Sequence, residues 1–584
     1  MEANQTARAI AQPRRRSADS DCDMLPAQPP QWLAFLLLAM IAVAGLFYFP
    51  GTQYLTSDTQ IYTPLLENSR NPSVLARDPL VWHPHLGLSF YDEMVNGVRT
   101  LTGLPVYPVL FAFQAVFRLV LVWAAFLLGL GICGGRWESL WIAAVVQTTG
   151  FIAGPSVMVA EYDAVPRGYT LAIGLLASAC VLHSRFWTAS LLAGVGLFFQ
   201  AGVAYPFLAC FGLSLLVRRE ETLLVRLRFL LPVLVALVSL LVAGVAGGSA
   251  SLSLVPDWLA QLHHLRASYN YPSLWHPAVL WVPVGLGCLL FAAGWRLRSQ
   301  LPGRIHAFLI AAPLVGMFSI PFAWFFMEKL QVFLMAQWQP ARAIAFMYAF
   351  AVPVFLGAGV IAARHHRWVL SWFWFVAGFS IPFSNQLVFF VGANGWPPSR
   401  FRYLWVPALA LLALLVFSLW TRKPFLSLVL LLLLIAAPFG ILRAVLGINA
   451  FASDARTPEI AELADWAAAS TAPDAVFAFP GFGRSNQPGV FRSQALRAVY
   501  TDWKSGGQVN FDIDFARLWW QRWNEVMAPK EFTLDRAPRL RALGIDYLVL
   551  APPQAPAQPP PLFRNGKFWV YRAEDLSRLV APVP

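Results

Sequence analysis

Charged residues are scarce in this sequence, and those that flank its apolar runs are of the types that handle protons and phosphate. Asp58 follows the first apolar run within Ser57-Asp58-Thr-Gln-Ile-Tyr62, and Asp78 lies further on in Ala76-Arg-Asp78-Pro-Leu-Val-Trp-His83-Pro-His85. An aspartate so placed is either a general base or a helix-capping or turn acid. Glu161-Tyr-Asp163 sets two carboxylates at i and i+2, with Arg167 beside a helix start. That group suits a bound cation or a phosphate, and equally a solvated loop. Arg342, in Gln337-Trp-Gln-Pro-Ala-Arg342, and Arg402, in Pro397-Pro-Ser-Arg400-Phe-Arg402, also open apolar helices. The helix dipole favours anions there. Two guanidinium groups set against it point to an anionic partner, with phosphate the geometric match, or to lipid phosphates reached by snorkelling.

The elements that position these residues follow from composition. The chain has 584 residues, 58% hydrophobic and only 12% charged, with a mean hydropathy of +0.57. Soluble domains carry roughly 25% charge, so the excess apolar surface must face lipid, and a soluble enzyme is excluded. A spanning helix needs about 20 apolar residues. Thirteen segments qualify, near 31–49, 105–131, 139–156, 168–182, 186–201, 203–217, 229–247, 277–295, 305–326, 341–363, 369–390, 402–420 and 425–446. Arg118 falls within the second and must face the bundle interior or a partner. Residues 1–30 form an Arg-rich cytoplasmic tail with no small-residue cleavage site after the first segment, which therefore reads as a retained anchor. The five cysteines include no CxxC pair, so neither a metal site nor a disulfide framework follows.

Charge sets the orientation. With the amino end inside, six short inner loops hold 13 Lys/Arg in 39 residues, and five outer loops hold 7 in 119. This is the asymmetry that the positive-inside rule expects. The net charge of +13 therefore follows membrane topology and is not a nucleic-acid signature. The first outer loop, 50–104, is far longer than a connection requires, and long loops of this kind are usually functional. Residues 31–446 form the membrane domain. Residues 447–584, with 15 Lys/Arg against 14 Asp/Glu, read as a small outer α/β domain. Its expected strands are 475–480, 545–550 and 567–571, and its expected helices lie at 457–466, 517–523 and 536–543.

One acid after the first span, an acidic pair after the third and cations at later helix ends together resemble the GT-C superfamily of integral-membrane glycosyltransferases. The resemblance implies an all-α polytopic bundle of about thirteen spans in the bacterial inner membrane, with a periplasmic carboxyl-terminal domain. It also implies a sugar donor carried on polyprenyl phosphate or diphosphate, and a catalytic acid in the first outer loop, which Asp58 matches by position. Glu161-Tyr-Asp163 resembles the acidic motif of the oligosaccharyltransferase branch. Two departures stand out. Trp519-Trp520-Gln521 lacks the acid of the sequon-reading motif, which argues against protein N-glycosylation, and Ser57-Asp58-Thr59 lacks the paired acids of the protein O-mannosyltransferases. The implied chemistry is inverting transfer to a lipid, glycan or protein acceptor. Asp58 is the base, Arg342 and Arg402 hold the phosphate, and Glu161, Asp163, Arg167 and Asp78 lie at the substrate. Mg²⁺ or Mn²⁺ would bridge Glu161 and Asp163, unless Arg167 neutralises the pair and makes a metal unnecessary. The rival readings are a transporter or flippase and a non-catalytic envelope scaffold. The stretch 491–504, with Trp520 and Arg522, suits a sugar-facing surface or a plain packed strand.

Overall fold

The apolar runs are helices, because a backbone in lipid must satisfy its polar groups within its own segment. Helix α1 (Gln31–Phe47) leads to a long loop that holds β1 (Gln53–Tyr54), α2 (Thr59–Arg70), α3 (Pro79–Trp82) and α4 (Tyr91–Thr102). Next come α5 (Val106–Cys133), α6 (Arg136–Val146), the hairpin β2 (Phe151–Ile152) and β3 (Val157–Met158), α7 (Pro166–Leu182), α8 (Phe186–Val217), α9 (Leu223–Leu227) and α10 (Leu231–Ala246). Then follow α11 (Asp257–Arg266), α12 (Pro277–Leu297), α13 (Gly303–Ala323), α14 (Phe333–Trp338), α15 (Ala343–Arg364), α16 (Trp368–Gly392), α17 (Pro398–Ser418) and α18 (Pro424–Leu446). The structure, a computed structural model, describes residues 26–47, 51–82, 89–148, 150–217, 222–246, 253–392, 398–420, 422–446, 453–529 and 531–580. It describes the backbone alone for residues 225, 243–246, 304, 382–392, 398–404, 438–446 and 453–454.

Five helical stretches among the described residues are long and apolar enough to cross a membrane: Val106–Cys133, Phe186–Val217, Pro277–Leu297, Ile305–Lys329 and Phe333–Arg364. Six shorter helices are also apolar. The chain is a mostly helical, multi-pass membrane protein. Helix α15 is buried at every position from Ala343 to Val360, as an all-round apolar helix at a bundle centre must be. At the periphery Phe35 and Met40 on α1, Leu234 and Val238 on α10, and Trp281 on α12 turn apolar side chains outward, the face expected toward lipid.

Three of the expected spans differ in detail. The segment 139–156 is helical only to Val146. Thr148 turns its hydroxyl back to the Val145 carbonyl, and the chain then folds as the β2–β3 hairpin, with Gly154 at positive φ. Segments 186–201 and 203–217 lie on the single element α8, broken at Gln200, whose φ of −162° and ψ of 103° are extended. The carbonyls near the break are satisfied from the first loop: Phe90 N–H donates to Phe198 O and Ser89 Oγ to Phe199 O. The break therefore packs beside that loop.

The tail contains β4 (Ser453–Asp454), α19 (Pro458–Ser470), β5 (Val476–Ala478), α20 (Gln487–Ala495), β6 (Ala498–Val499) and α21 (Ile513–Val526). It ends with α22 (Ala537–Ala542), β7 (Tyr547–Leu550), β8 (Phe563–Arg564), β9 (Trp569–Arg572) and α23 (Ala573–Arg578). Its sheet runs β6-β5-β7-β9-β8, parallel across the first three strands and antiparallel across the rest. The three expected strands are β5, β7 and β9. The edge strands β6 and β8, two residues each, are too short to leave a sequence pattern. Strand β1 pairs in parallel with β4, which ties the start of the first loop to the start of the tail.

Candidate functional site

Asp58 immediately precedes α2, yet its side chain makes no capping hydrogen bond. It turns instead to two cations. Oδ2 pairs with Arg167 Nη1, and Oδ1 pairs with Lys504 Nζ at 2.7 Å. Lys504 also donates to Ser57 Oγ at 3.0 Å. Burial alone would raise the Asp58 carboxyl, but Lys504 and Arg167 outweigh it and hold the group well below the usual carboxylate range. Asp58 is thus a carboxylate at any physiological pH.

Arg167, in the first turn of α7, is the hub. Its Nε donates to Glu161 Oε1 at 2.6 Å and its Nη2 to Glu161 Oε2 at 3.2 Å, while its third nitrogen holds Asp58. Glu161 is fixed by its backbone as well, since its carbonyl accepts from Gln114 Nε2 at 2.6 Å and Arg118 Nη2 at 2.9 Å. Arg118 also donates to Gly51 O and Gln147 O, both at 2.9 Å. An arginine in the second apolar segment thus pays its desolvation by gathering three loop carbonyls, and it faces the bundle interior as expected. Asp163 stands behind Asp58: its Oδ2 accepts from Thr59 N–H at 3.4 Å and from Thr59 Oγ1 at 3.5 Å. Its Oδ1 is buried without a hydrogen-bond partner among the described residues. Burial, then the charge of Asp58, pushes this carboxyl up to about 7.

These groups meet at a cavity of about 130 Å³ between the first loop, the β2–β3 hairpin, α11, the start of α15 and the tail. Arg167, Arg266, Arg342 and Lys504 line it against the carboxylates Asp58 and Glu161. Arg167 and Lys504 are paired with those acids, whereas Arg266 and Arg342 make no ion pair with a carboxylate among the described residues. Arg266 donates through Nε to Trp503 O at 2.9 Å and through Nη2 to Lys504 O at 3.2 Å, and it stacks on the Trp503 ring. Arg342 is buried, and its Nε has no hydrogen-bond partner among the described residues. A cavity with two more cations than anions favours an anion in size and charge like a phosphate.

The structure brings Asp58, Glu161, Arg167 and Arg342 to one cavity, with Asp163 directly behind it. Asp78 is a correction. It is fully buried and lines no part of the cavity, because Oδ2 accepts from Arg492 Nε at 2.6 Å and Val499 N–H at 2.9 Å while Oδ1 accepts from Leu80 N–H. It joins the first loop to the tail and has no open face for a substrate. The stretch 491–504 is packed, not an open sugar-facing surface: it holds the end of α20 and the buried strand β6, Arg492 and Asp502 are buried with Asp78, and its end, Lys504, reaches the cavity. The side chain of Arg402, and residues His83 and His85, lie outside the described residues. Of the two acids expected to share a divalent cation, Glu161 gives both oxygens to Arg167, while Asp163 turns Oδ2 to Thr59.

Lys504 and Arg266 were not foreseen. No spacing rule links residue 504 to residue 58. Arg266 did carry a signal, as the lone Lys/Arg of the loop 248–276 on the side where basic residues are rare.

No family model matches the chain, and no curated protein matches it. Solved structures similar to it include ArnT from Cupriavidus metallidurans in the apo state, at 16% identity and a TM-score of 0.46, over 94% of this chain and 99% of that one. They also include the archaeal oligosaccharyltransferase AglB from Archaeoglobus fulgidus in complex with an inhibitory peptide and a dolichol-phosphate, at 10% identity and a TM-score of 0.42, over 89% of this chain and 69% of that one.

Proposed function

We propose that this protein is a GT-C-type glycosyltransferase that moves a sugar from a polyprenyl-linked donor to a hydroxyl of a lipid, glycan or protein acceptor. In this reading the chain crosses a bacterial inner membrane thirteen times, and the cavity and the tail face the periplasm. The observation that carries it is a carboxylate, Asp58, held by Arg167 and Lys504 beside a cavity whose cations exceed its anions. Asp58 accepts the proton of the acceptor hydroxyl as the oxygen attacks the anomeric carbon from the face opposite the phosphate. The bond between that carbon and the phosphate oxygen breaks, and the phosphate keeps the electron pair. Arg342 and Arg266 offset the charge that grows on the leaving group, so no acid need protonate it. Arg167 keeps Asp58 ionised and aimed, and acts as a positioning residue. Arg402, at the start of α17, remains a candidate for the same phosphate.

A transporter would place ionisable groups along a path through the middle of the bundle. Arg118 lies within a span, but it is committed to three carbonyls. The deciding experiment is turnover of polyprenyl-phosphate sugars by the purified protein in nanodiscs. Wild type is expected to release polyprenyl phosphate, Asp58→Asn to be slower by about 10²–10⁴-fold, and Arg342→Met to lose rate as well. Full activity of Asp58→Asn removes it as the base. No turnover with any donor, monophosphate or diphosphate, favours the scaffold.

A further inference from the structure

Asp58 faces the cavity with both oxygens already in ion pairs, Oδ2 with Arg167 and Oδ1 with Lys504. A carboxylate held by two cations accepts a proton poorly, so the reacting state must loosen one of them. Arg167 is fixed, because Nε and Nη2 hold Glu161, whose carbonyl is held in turn by Arg118 and Gln114. Lys504 is the movable one. Its other contact is the Ser57 hydroxyl, its ammonium ends a flexible four-carbon stem, and it lines the same cavity as Arg266 and Arg342. An anion entering there meets two guanidinium groups that no described carboxylate neutralises, and one ammonium paired with Asp58.

We propose that Lys504 is an exchangeable cation, which holds Asp58 until a polyprenyl phosphate enters and then moves to the phosphate, releasing Asp58 to accept a proton. The inference rests on the polyprenyl-phosphate reading of the cavity, and it makes the tail domain part of the site. Coupling of this kind is reciprocal: the pull of Asp58 on Lys504 weakens the hold on the lipid, and the lipid weakens the hold on Asp58.

The test is a binding cycle that needs no turnover. Polyprenyl monophosphate is titrated into the full-length protein in nanodiscs, for wild type, Asp58→Asn, Lys504→Met and the double variant. Asp58→Asn frees the lysine and is expected to tighten binding about tenfold, whereas Lys504→Met weakens it. In the Lys504→Met background, Asp58→Asn is expected to change affinity by less than about twofold. Lys504→Gln repeats the cycle if the methionine variant does not fold, and Lys504→Arg, which keeps the charge, is expected to keep the coupling. Equal tightening by Asp58→Asn in both backgrounds means that the carboxylate merely repels the phosphate. That result overturns the exchange and leaves the polyprenyl-phosphate reading standing. Failure of the wild-type protein to bind polyprenyl monophosphate overturns that reading, and the exchange with it.

Discussion

Asp58, half-buried, and Asp163, buried, are acids near Thr59, and the surroundings drive them apart. Two cations keep the first ionised, while the second has one oxygen on Thr59, the other without a partner among the described residues, and a carboxyl pushed up to about 7. For Asp163 the folded value lies above the ordinary 3.8, so the folded protein keeps a proton that the unfolded chain has released. Its contribution is therefore fully present below about pH 4 and is lost as pH rises through about 7. Asp163→Asn imitates the protonated acid and removes that slope. The melting temperature of wild type relative to this variant, followed in detergent, is expected to fall between about pH 4 and 7 and then level off. Parallel curves would sink the argument. The same charges bear on metal dependence: with Arg167 between Asp58 and Glu161, EDTA is expected to leave donor turnover unchanged. Loss of turnover in EDTA, restored by Mn²⁺ and absent again in Asp163→Ala, is the contrary result.

Among the elements, what matters most is how the first loop is held between bundle and tail. Arg492 on α20 bonds Asp78 Oδ2 before α3 and Asp502 Oδ1, both at 2.6 Å, and all three side chains are buried. Asp502 Oδ2 then accepts from the backbone N–H groups of Lys504, at 3.0 Å, and Ser505, so the clamp fixes the very backbone that carries the cavity lysine. Arg492→Met strands two carboxylates in the interior. The expected destabilisation is about 3–5 kcal/mol, read as a lower melting temperature and as faster proteolysis between bundle and tail. Wild-type resistance in the variant would show that the clamp carries no weight. The break in α8 is a second such joint. A Cβ at Gly202 would come within 2.3 Å of the Trp338 carbonyl, so Gly202→Ala must move α14 away from α8. The expected result is a lower melting temperature, whereas an unchanged one would mean that α14 gives way freely.

For the whole molecule, the face where cations are rare puts several of them to use. Arg77 pairs with Asp546, Arg99 with Glu67, and Arg167 and Arg266 line the cavity. Elsewhere Glu138 is buried against Arg364, which also donates to Cys133 O at 2.7 Å. Reporter fusions test the topology. Alkaline phosphatase joined after residue 450 is expected to be active, and joined within 218–228 to be inactive. The reverse pattern would invert the orientation and move the cavity to the cytoplasm.

Periodicity and charge determined most of the helical bundle, because both are local: a helix satisfies the backbone of an apolar run within its own segment, whatever lies beside it. The tail strands β5, β7 and β9 were legible for a similar reason, as short apolar runs between turns. Asp58, Glu161, Arg167 and Arg342 could be singled out because a charge at the end of an apolar run is conspicuous on its own. What each one does was decided only by the fold. Nothing in the residues around Asp78 distinguishes it from Asp58, yet one lies in a buried clamp and the other on a cavity, because Arg492 reaches the first and Lys504 the second. Those partners come from the other end of the chain. Contact between such distant residues depends on how the tail docks on the first loop, through β1 against β4 and Asp78 against Arg492, and docking is a property of surfaces that no local pattern encodes.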